Sequence, residues 1–164
     1  MTSEQYKKIS EPFRSESMTK LLKLTNKGLT IFGFAAYPVL LISLFILAPE
    51  KLLTAIVVPG SGFVLLTLVR RKINRPRPYV ALDIDPIIHK EKKGNSMPSR
   101  HVFSMAMIAA IWWLLSPAVC CILMIFSVIL AIIRVVAGIH YPSDVVVGAL
   151  CAIIWAISGC RILL

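Results

Sequence analysis

Residues 95–105 read Asn-Ser-Met-Pro-Ser-Arg-His-Val-Phe-Ser-Met, NSMPSRHVFSM. A serine, an arginine and a histidine stand in a row at the mouth of a segment that stays almost wholly apolar from Val102 to Cys160. Polar chemistry at the entrance of such a segment needs a reason, and the rest of the chain supplies one.

Hydrophobic residues make up 57% of the 164-residue chain, more than a soluble domain of this size could bury. The sequence therefore reads as an all-α, multi-pass membrane protein. Its formal charge of +10 is segregated: residues 1–28 hold six Lys/Arg, residues 70–100 hold nine, and the remainder holds three. The four cysteines, Cys120, Cys121, Cys151 and Cys160, lie in apolar runs without CxxC spacing or partnering histidines, so they suggest neither zinc nor a disulfide framework. The N-terminus lacks the charge, apolar core and cleavage pattern of a signal peptide and is expected to be retained.

A transmembrane helix needs roughly 20 apolar residues. Leu29 to Ala48, Leu52 to Val69, a short Val102 to Leu115, Ala118 to about Gly138, and Asp144 to about Cys160 give five expected spans. Pro38 and the stretch Pro59-Gly60-Ser61-Gly62 are expected to kink or unwind the first two. Trp112 and Trp113 suit an interfacial belt. Residues 1–28 mix Tyr6, Ile9, Phe13 and Leu22 with lysines and glutamates, either an amphipathic segment on the bilayer surface or a solvated basic tail. Residues 29–164 then form the membrane-embedded domain, with 70–101 as a long functional loop.

Leaving Cys and Tyr aside, the only ionisable residues between Val102 and Cys160 are Arg134, His140 and Asp144. A charge near the bilayer centre costs at least ~2.5–3.5 kcal/mol, so such residues normally face a cavity and carry function. On one continuous helix Arg134 and His140 would point about 240° apart, so a shared ligand requires a bend. Gly138 and Pro142 stand where that bend is needed. The topology brings the span ends together, so Arg70, Arg75, Arg77, Ser99, Arg100, His101, Arg134, His140 and Asp144 can converge. Arginines, a serine hydroxyl and helix N-terminal N–H groups suit phosphate. Of the two histidines, one held by Asp144 can attack phosphorus, and the other can protonate the leaving oxygen. The arginines can neutralise the transition-state charge without a metal, and Asp83 and Asp85 read as solvated rather than as ligands.

These residues resemble the three motifs of the type 2 phosphatidic acid phosphatase superfamily, KxxxxxxRP, PSGH and SRxxxxxHxxxD. Arg70 through Arg77-Pro78 matches the first, Pro98-Ser99-Arg100-His101 the second, and Ile133-Arg134 through His140 to Asp144 the third. The resemblance covers about residues 50–150. It implies a helix bundle related to the acid phosphatase and vanadium haloperoxidase fold, and a metal-independent membrane lipid phosphatase without a cofactor. His140 would be the nucleophile that becomes phosphohistidine, Asp144 its orienting partner and His101 the general acid. Arg70, Arg77, Ser99 and Arg134 would bind phosphate, with Arg100 beside them. Three departures stand out: Arg70 replaces a lysine, Ile133 a serine and Arg100 a glycine. The expected partner is a phospholipid or polyisoprenyl phosphate in a bacterial cell membrane, with undecaprenyl diphosphate first and phosphatidic acid or phosphatidylglycerol phosphate second. Nucleic acid is not expected. A non-catalytic protein whose basic face binds anionic lipid is the alternative of another class.

Overall fold

The computed structural model describes the whole chain, Met1–Leu164, and is helical throughout, with no strand. In chain order the helices are α1 (Ser3–Ser10), α2 (Glu16–Leu47), α3 (Leu52–Ile73), the single turn α4 (Pro78–Ala81), α5 (Arg100–Trp112), α6 (Pro117–Val136) and α7 (Pro142–Leu163). Four helices are long and apolar enough to cross a membrane, and α5 is the shorter fifth expected from the sequence. The protein is an integral, multi-pass helix bundle. Its outer surface is greasy: Phe32, Phe45, Leu53, Leu68, Ile125, Ile132 and Ile154 are all exposed, as lipid-facing positions should be.

At the centre is α5, packed on α6 and α7 and flanked by α2 and α3. It is apolar all round, and Val102, Phe103, Ala106, Met107, Ala109 and Ile111 are among its buried residues, the composition of a helix with no face left for solvent. Thirteen residues span only about 20 Å, against a hydrocarbon thickness of about 30 Å. Its C-terminal end lies level with the α2–α3 turn, since Lys51 Nζ donates to the Leu114 carbonyl at 3.1 Å. The N-terminal end, carrying Ser99, Arg100 and His101, meets the first turn of α7 and, through Arg70, the last turns of α3.

Three local expectations change. Both α2 and α3 run unbroken through their prolines. Pro59 has no N–H for the Ala55 carbonyl one turn back, and the Tyr37 hydroxyl donates to that carbonyl instead at 3.0 Å, so the helix need not unwind. Trp113 is exposed at the bundle end, but Trp112 is buried and its Nε1 donates to the Ala36 carbonyl at 3.1 Å; it pins α5 to α2 rather than sitting in an interfacial belt. The first span also begins earlier than its apolar run, because α2 starts at Glu16 and passes through position 28 without a break.

Candidate active site

The site lies at the N-terminal ends of α5 and α7 and the C-terminal ends of α3 and α6. The bend between α6 and α7 is made as the sequence requires. Gly138 takes a left-handed conformation, φ +75°, and the Arg134 carbonyl accepts the N–H groups of both Ile139 and His140 at 3.2 Å. A side chain at Gly138 would also strike the Tyr6 ring, so the N-terminal helix presses directly on this turn. Tyr6 is fully buried and its hydroxyl donates to the Asp85 carbonyl at 3.3 Å. Arg14 pairs with the Asp85 carboxylate at 3.2 Å, so residues 1–15 are docked on the loop that covers the site. Beneath that loop a small second core joins Ile87 to Leu22, Ile133, Val136, Ala137 and Ile139.

Asp144 organises the centre. It is fully buried in the first turn of α7, where the helix dipole favours a carboxylate. Its Oδ2 accepts from Ser96 Oγ at 2.5 Å and from the Tyr141 N–H at 3.0 Å, and lies 3.5 Å from His140 Nδ1. Its Oδ1 accepts from Arg75 Nη1 at 2.8 Å. Arg75 is itself held by Ser143 Oγ at 2.9 Å and by the face of the Tyr141 ring, 4.0 Å from the centroid. Even the Asp144 backbone takes part, since its carbonyl accepts the Ser99 N–H at 2.8 Å and so joins α7 to the start of α5. Gly148 permits that approach: a Cβ there would sit 2.8 Å from the Ser99 carbonyl oxygen.

With Nδ1 facing Asp144 and Ser96 Oγ at 3.4 Å, His140 leaves Nε2 for the cleft it lines. Burial presses its pKa down to about 4, against the hydrogen bond and charge of Asp144, with Arg77 and Arg134 adding to the depression. The imidazole is therefore neutral at pH 7, the state in which a nitrogen lone pair is available. Burial likewise lowers the Arg77 pKa, although a guanidinium remains charged.

The cleft holds about 730 Å³ of water-accessible space and is lined by Arg70, Arg71, Arg77, Lys90, Lys92, Arg100 and Arg134, one carboxylate (Glu91), and His89, His101 and His140. Arg70 bonds the carbonyls of Asn95 and Pro98, and Arg77 reaches those of Gly94 and Ile139 at 3.3 and 3.5 Å, so both fix the loop as well as lining the cavity. The buried Nε of Arg134 and the buried Oγ of Ser99 have no protein partner. Unsatisfied polar atoms at such a place call for a ligand. Arg100 answers to both environments, lining the cleft while its guanidinium lies 5.7 Å from the Phe63 ring centroid.

Of the residues singled out by sequence, Arg70, Arg77, Arg100, His101, Arg134 and His140 line this one cavity, with Asp144 behind His140, Arg75 on Asp144, and Ser99 at the N-terminal end of α5. The Ser99 N–H is committed to Asp144, so the free backbone donors of α5 begin at Arg100. Ser96 is the residue sequence reasoning missed. It sits inside the opening stretch, three positions before Ser99, but nothing local shows that it reaches a carboxylate 48 residues away.

A membrane bundle with a histidine backed by a buried aspartate at the end of an arginine-lined cleft is the architecture of a phosphohydrolase. Family comparison agrees: the model of the PAP2 superfamily matches residues 44–163, and the chain belongs to that superfamily, a hydrolase of the lipid phosphate phosphatase class. Among solved structures, LpxE of Aquifex aeolicus superimposes with a TM-score of 0.76 at 26% identity, covering 98% of this chain and 94% of that one. The transmembrane PAP2-type phosphatidylglycerolphosphate phosphatase of Bacillus subtilis gives a TM-score of 0.74 at 20% identity, covering 97% and 84%, a likeness of fold. No curated protein matches the chain significantly.

Proposed function

We propose that this protein dephosphorylates a polyisoprenyl or other lipid phosphate through a phosphohistidine on His140. The observation that carries the reading is the Asp144–His140 contact at the inner end of the cationic cleft. The Nε2 lone pair attacks phosphorus as the bond to the leaving oxygen breaks, and that oxygen takes a proton from His101. Water then attacks the phosphohistidine, giving its proton to His101, and orthophosphate leaves with His140 restored. Arg77, Arg134 and the N–H groups at the start of α5 hold the equatorial oxygens and supply the positive charge that the transition state needs. Asp144 orients the imidazole and stabilises the cation formed on attack.

The lipid tail has a path. An apolar groove of about 240 Å³ between α2, α3 and α5 is lined by Phe34, Tyr37, Phe63, Phe103, Met107 and Ile108, among others, and Phe63 is the ring beneath Arg100. A headgroup in the cleft would thus leave its tail among helices in the bilayer. Residues 1–15 serve as an interfacial segment whose first helix braces the His140 turn, and residues 16–28 are the opening turns of α2. A bacterial cell membrane is the proposed location, and undecaprenyl diphosphate the first substrate to try. Phosphatidylglycerol phosphate is the second, since a protein of the same fold is named for it.

The test is orthophosphate release from a panel of lipid phosphates by purified protein in EDTA. Activity is expected with chelator present and lost in His140→Ala. Full activity in that variant would remove His140 from the reaction, and loss on chelation would remove the claim that arginines suffice.

A further inference from the structure

Arg75 belongs by sequence to the basic connection between α3 and α5, yet it takes no part in lining the cleft that Arg70, Arg77, Arg100 and Arg134 share. Its guanidinium lies instead over the Tyr141 ring, and its Nη1 donates to Ser143 Oγ at 2.9 Å and to Asp144 Oδ1 at 2.8 Å.

The two oxygens of Asp144 are used unequally. Oδ2 takes Ser96 Oγ, the Tyr141 N–H and the contact with His140 Nδ1, whereas Oδ1 has Arg75 alone. The carboxylate is fully buried, and apart from His140 no other cationic side chain comes within ion-pairing distance of it. A buried carboxylate oxygen without a partner is strongly unfavourable, so loss of Arg75 would leave the group turning about its Cβ–Cγ bond toward other donors. Any such turn moves Oδ2 from His140 Nδ1 and loosens the imidazole.

The backbone sets Arg75 in place as well. It stands between Asn74, whose left-handed φ of 40° ends α3, and Pro76, which confines the residue before it to extended backbone. Its carbonyl accepts the Ser96 N–H at 2.9 Å. Two bonded segments of the loop thus grip Asp144 together, Ser96 on one oxygen and Arg75 on the other.

We infer that Arg75 is a positioning residue of the reaction: its guanidinium is the counter-charge that keeps the Asp144 carboxylate turned toward His140, and it is not one of the arginines that hold phosphate. This rests on the phosphohistidine reading of His140. Arg75 touches no substrate atom and acts through Asp144.

The test is steady-state phosphate release from undecaprenyl diphosphate or phosphatidylglycerol phosphate, whichever the wild type hydrolyses faster, with orthophosphate as inhibitor. Loss of a hydrogen bond to a charged group predicts that Arg75→Ala lowers kcat about ten- to hundredfold, with KM and inhibition by orthophosphate little changed. Arg134→Ala should instead weaken that inhibition about tenfold or more, since its Nε is buried in the cleft without a partner. Because the Arg75 side chain is 33% exposed, its removal opens a hole to solvent. Millimolar guanidinium should therefore restore part of the kcat of Arg75→Ala, which a general loss of packing would not allow. In an Asp144→Asn background the arginine change should cost little more, because the group it acts through is already gone. Arg75→Lys keeps the charge and should fall between wild type and alanine at unchanged KM, and it carries the test if the alanine variant does not fold.

Wild-type kcat in these variants, a raised KM matched by weaker orthophosphate inhibition, a loss that guanidinium does not restore, or losses that simply multiply with Asp144→Asn would overturn the assignment and leave the phosphatase intact. No phosphate release by the wild type, or full activity in His140→Ala, overturns the reading on which it stands.

Discussion

Replacing Gly148 by alanine sets two effects of opposite sign against each other. Alanine favours a helix over glycine by about 1 kcal/mol, so propensity alone makes the variant more stable. The new Cβ, however, would lie 2.8 Å from the Ser99 carbonyl oxygen and 3.2 Å from its nitrogen, both backbone atoms that cannot swing away. A comfortable carbon–oxygen contact is about 3.3–3.6 Å, so α7 and the start of α5 must part by roughly 0.5–0.8 Å. That stretches the 2.8 Å bond from the Ser99 N–H to the Asp144 carbonyl toward the limit of hydrogen bonding. Overpacking costs about 1–3 kcal/mol and the weakened bond about 0.5–1.5, so the sum outweighs the propensity gain and leaves a net loss of about 0.5–3.5 kcal/mol. Function should suffer more, because the same movement separates the phosphate-facing N–H groups and His101 from His140, and misplacement on this scale can cost up to about a hundredfold. Thermal unfolding in detergent and kcat/KM for phosphate release form the assay. A Gly148→Ala protein with a raised Tm and wild-type kcat/KM would refute the close approach and the coupling drawn from it.

Other expectations follow from single contacts. Ser96→Ala removes the 2.5 Å donor to Asp144 and the hydroxyl beside His140 Nδ1. Loss of a hydrogen bond to a charged group predicts a ten- to hundredfold fall in kcat with less change in KM, and an equal rise in KM instead would make Ser96 a substrate contact. If His140 is the nucleophile proposed above, its pKa, lowered by burial to about 4, places the acid limb of the kcat/KM profile near pH 4 rather than near 6.5, because the imidazole must be neutral to attack. A limb at pH 6.5 would contradict that burial. Tyr37→Phe strips the donor from the Ala55 carbonyl left open by Pro59. It should lower stability by about 1–3 kcal/mol with kcat little changed, and an unaltered Tm would show that the carbonyl finds another donor.

The bundle and the inner residues of the cleft were legible in the sequence because both are written locally. A run of apolar residues between polar ends dictates a span, and an isolated Arg134, His140 and Asp144 in such a run dictate a cavity. Gly138 and Pro142 announced the bend. What escaped is written between distant segments. Ser96 meets Asp144 across 48 residues, and a lone serine gives no periodic signal; Arg75 was expected at the site, but its partner, Asp144 at 69 residues' distance, was not written in the sequence. Tyr37 relieves Pro59 from a neighbouring helix, so the proline read as a break. Trp112 and Trp113 are identical in composition, and only the position of α2 decides that one is buried and the other exposed. Charge counting found the basic loop without showing which of its cations were already engaged.

Because Asp144 is bonded to the loop, to Arg75 and to the head of α5 at once, the order of synthesis bears on activity. The first four apolar helices can enter a bilayer before α7 is made, yet until it arrives nothing orients His140 or clasps the Ser99 end of α5. Helices that insert independently and associate afterwards give a protein whose hydrolytic centre closes only at the final docking step. If His140 is the nucleophile proposed above, a chain that lacks α7 carries its arginines, His101 and His140 into the membrane as an inert assembly, and turnover begins only when the last span seats.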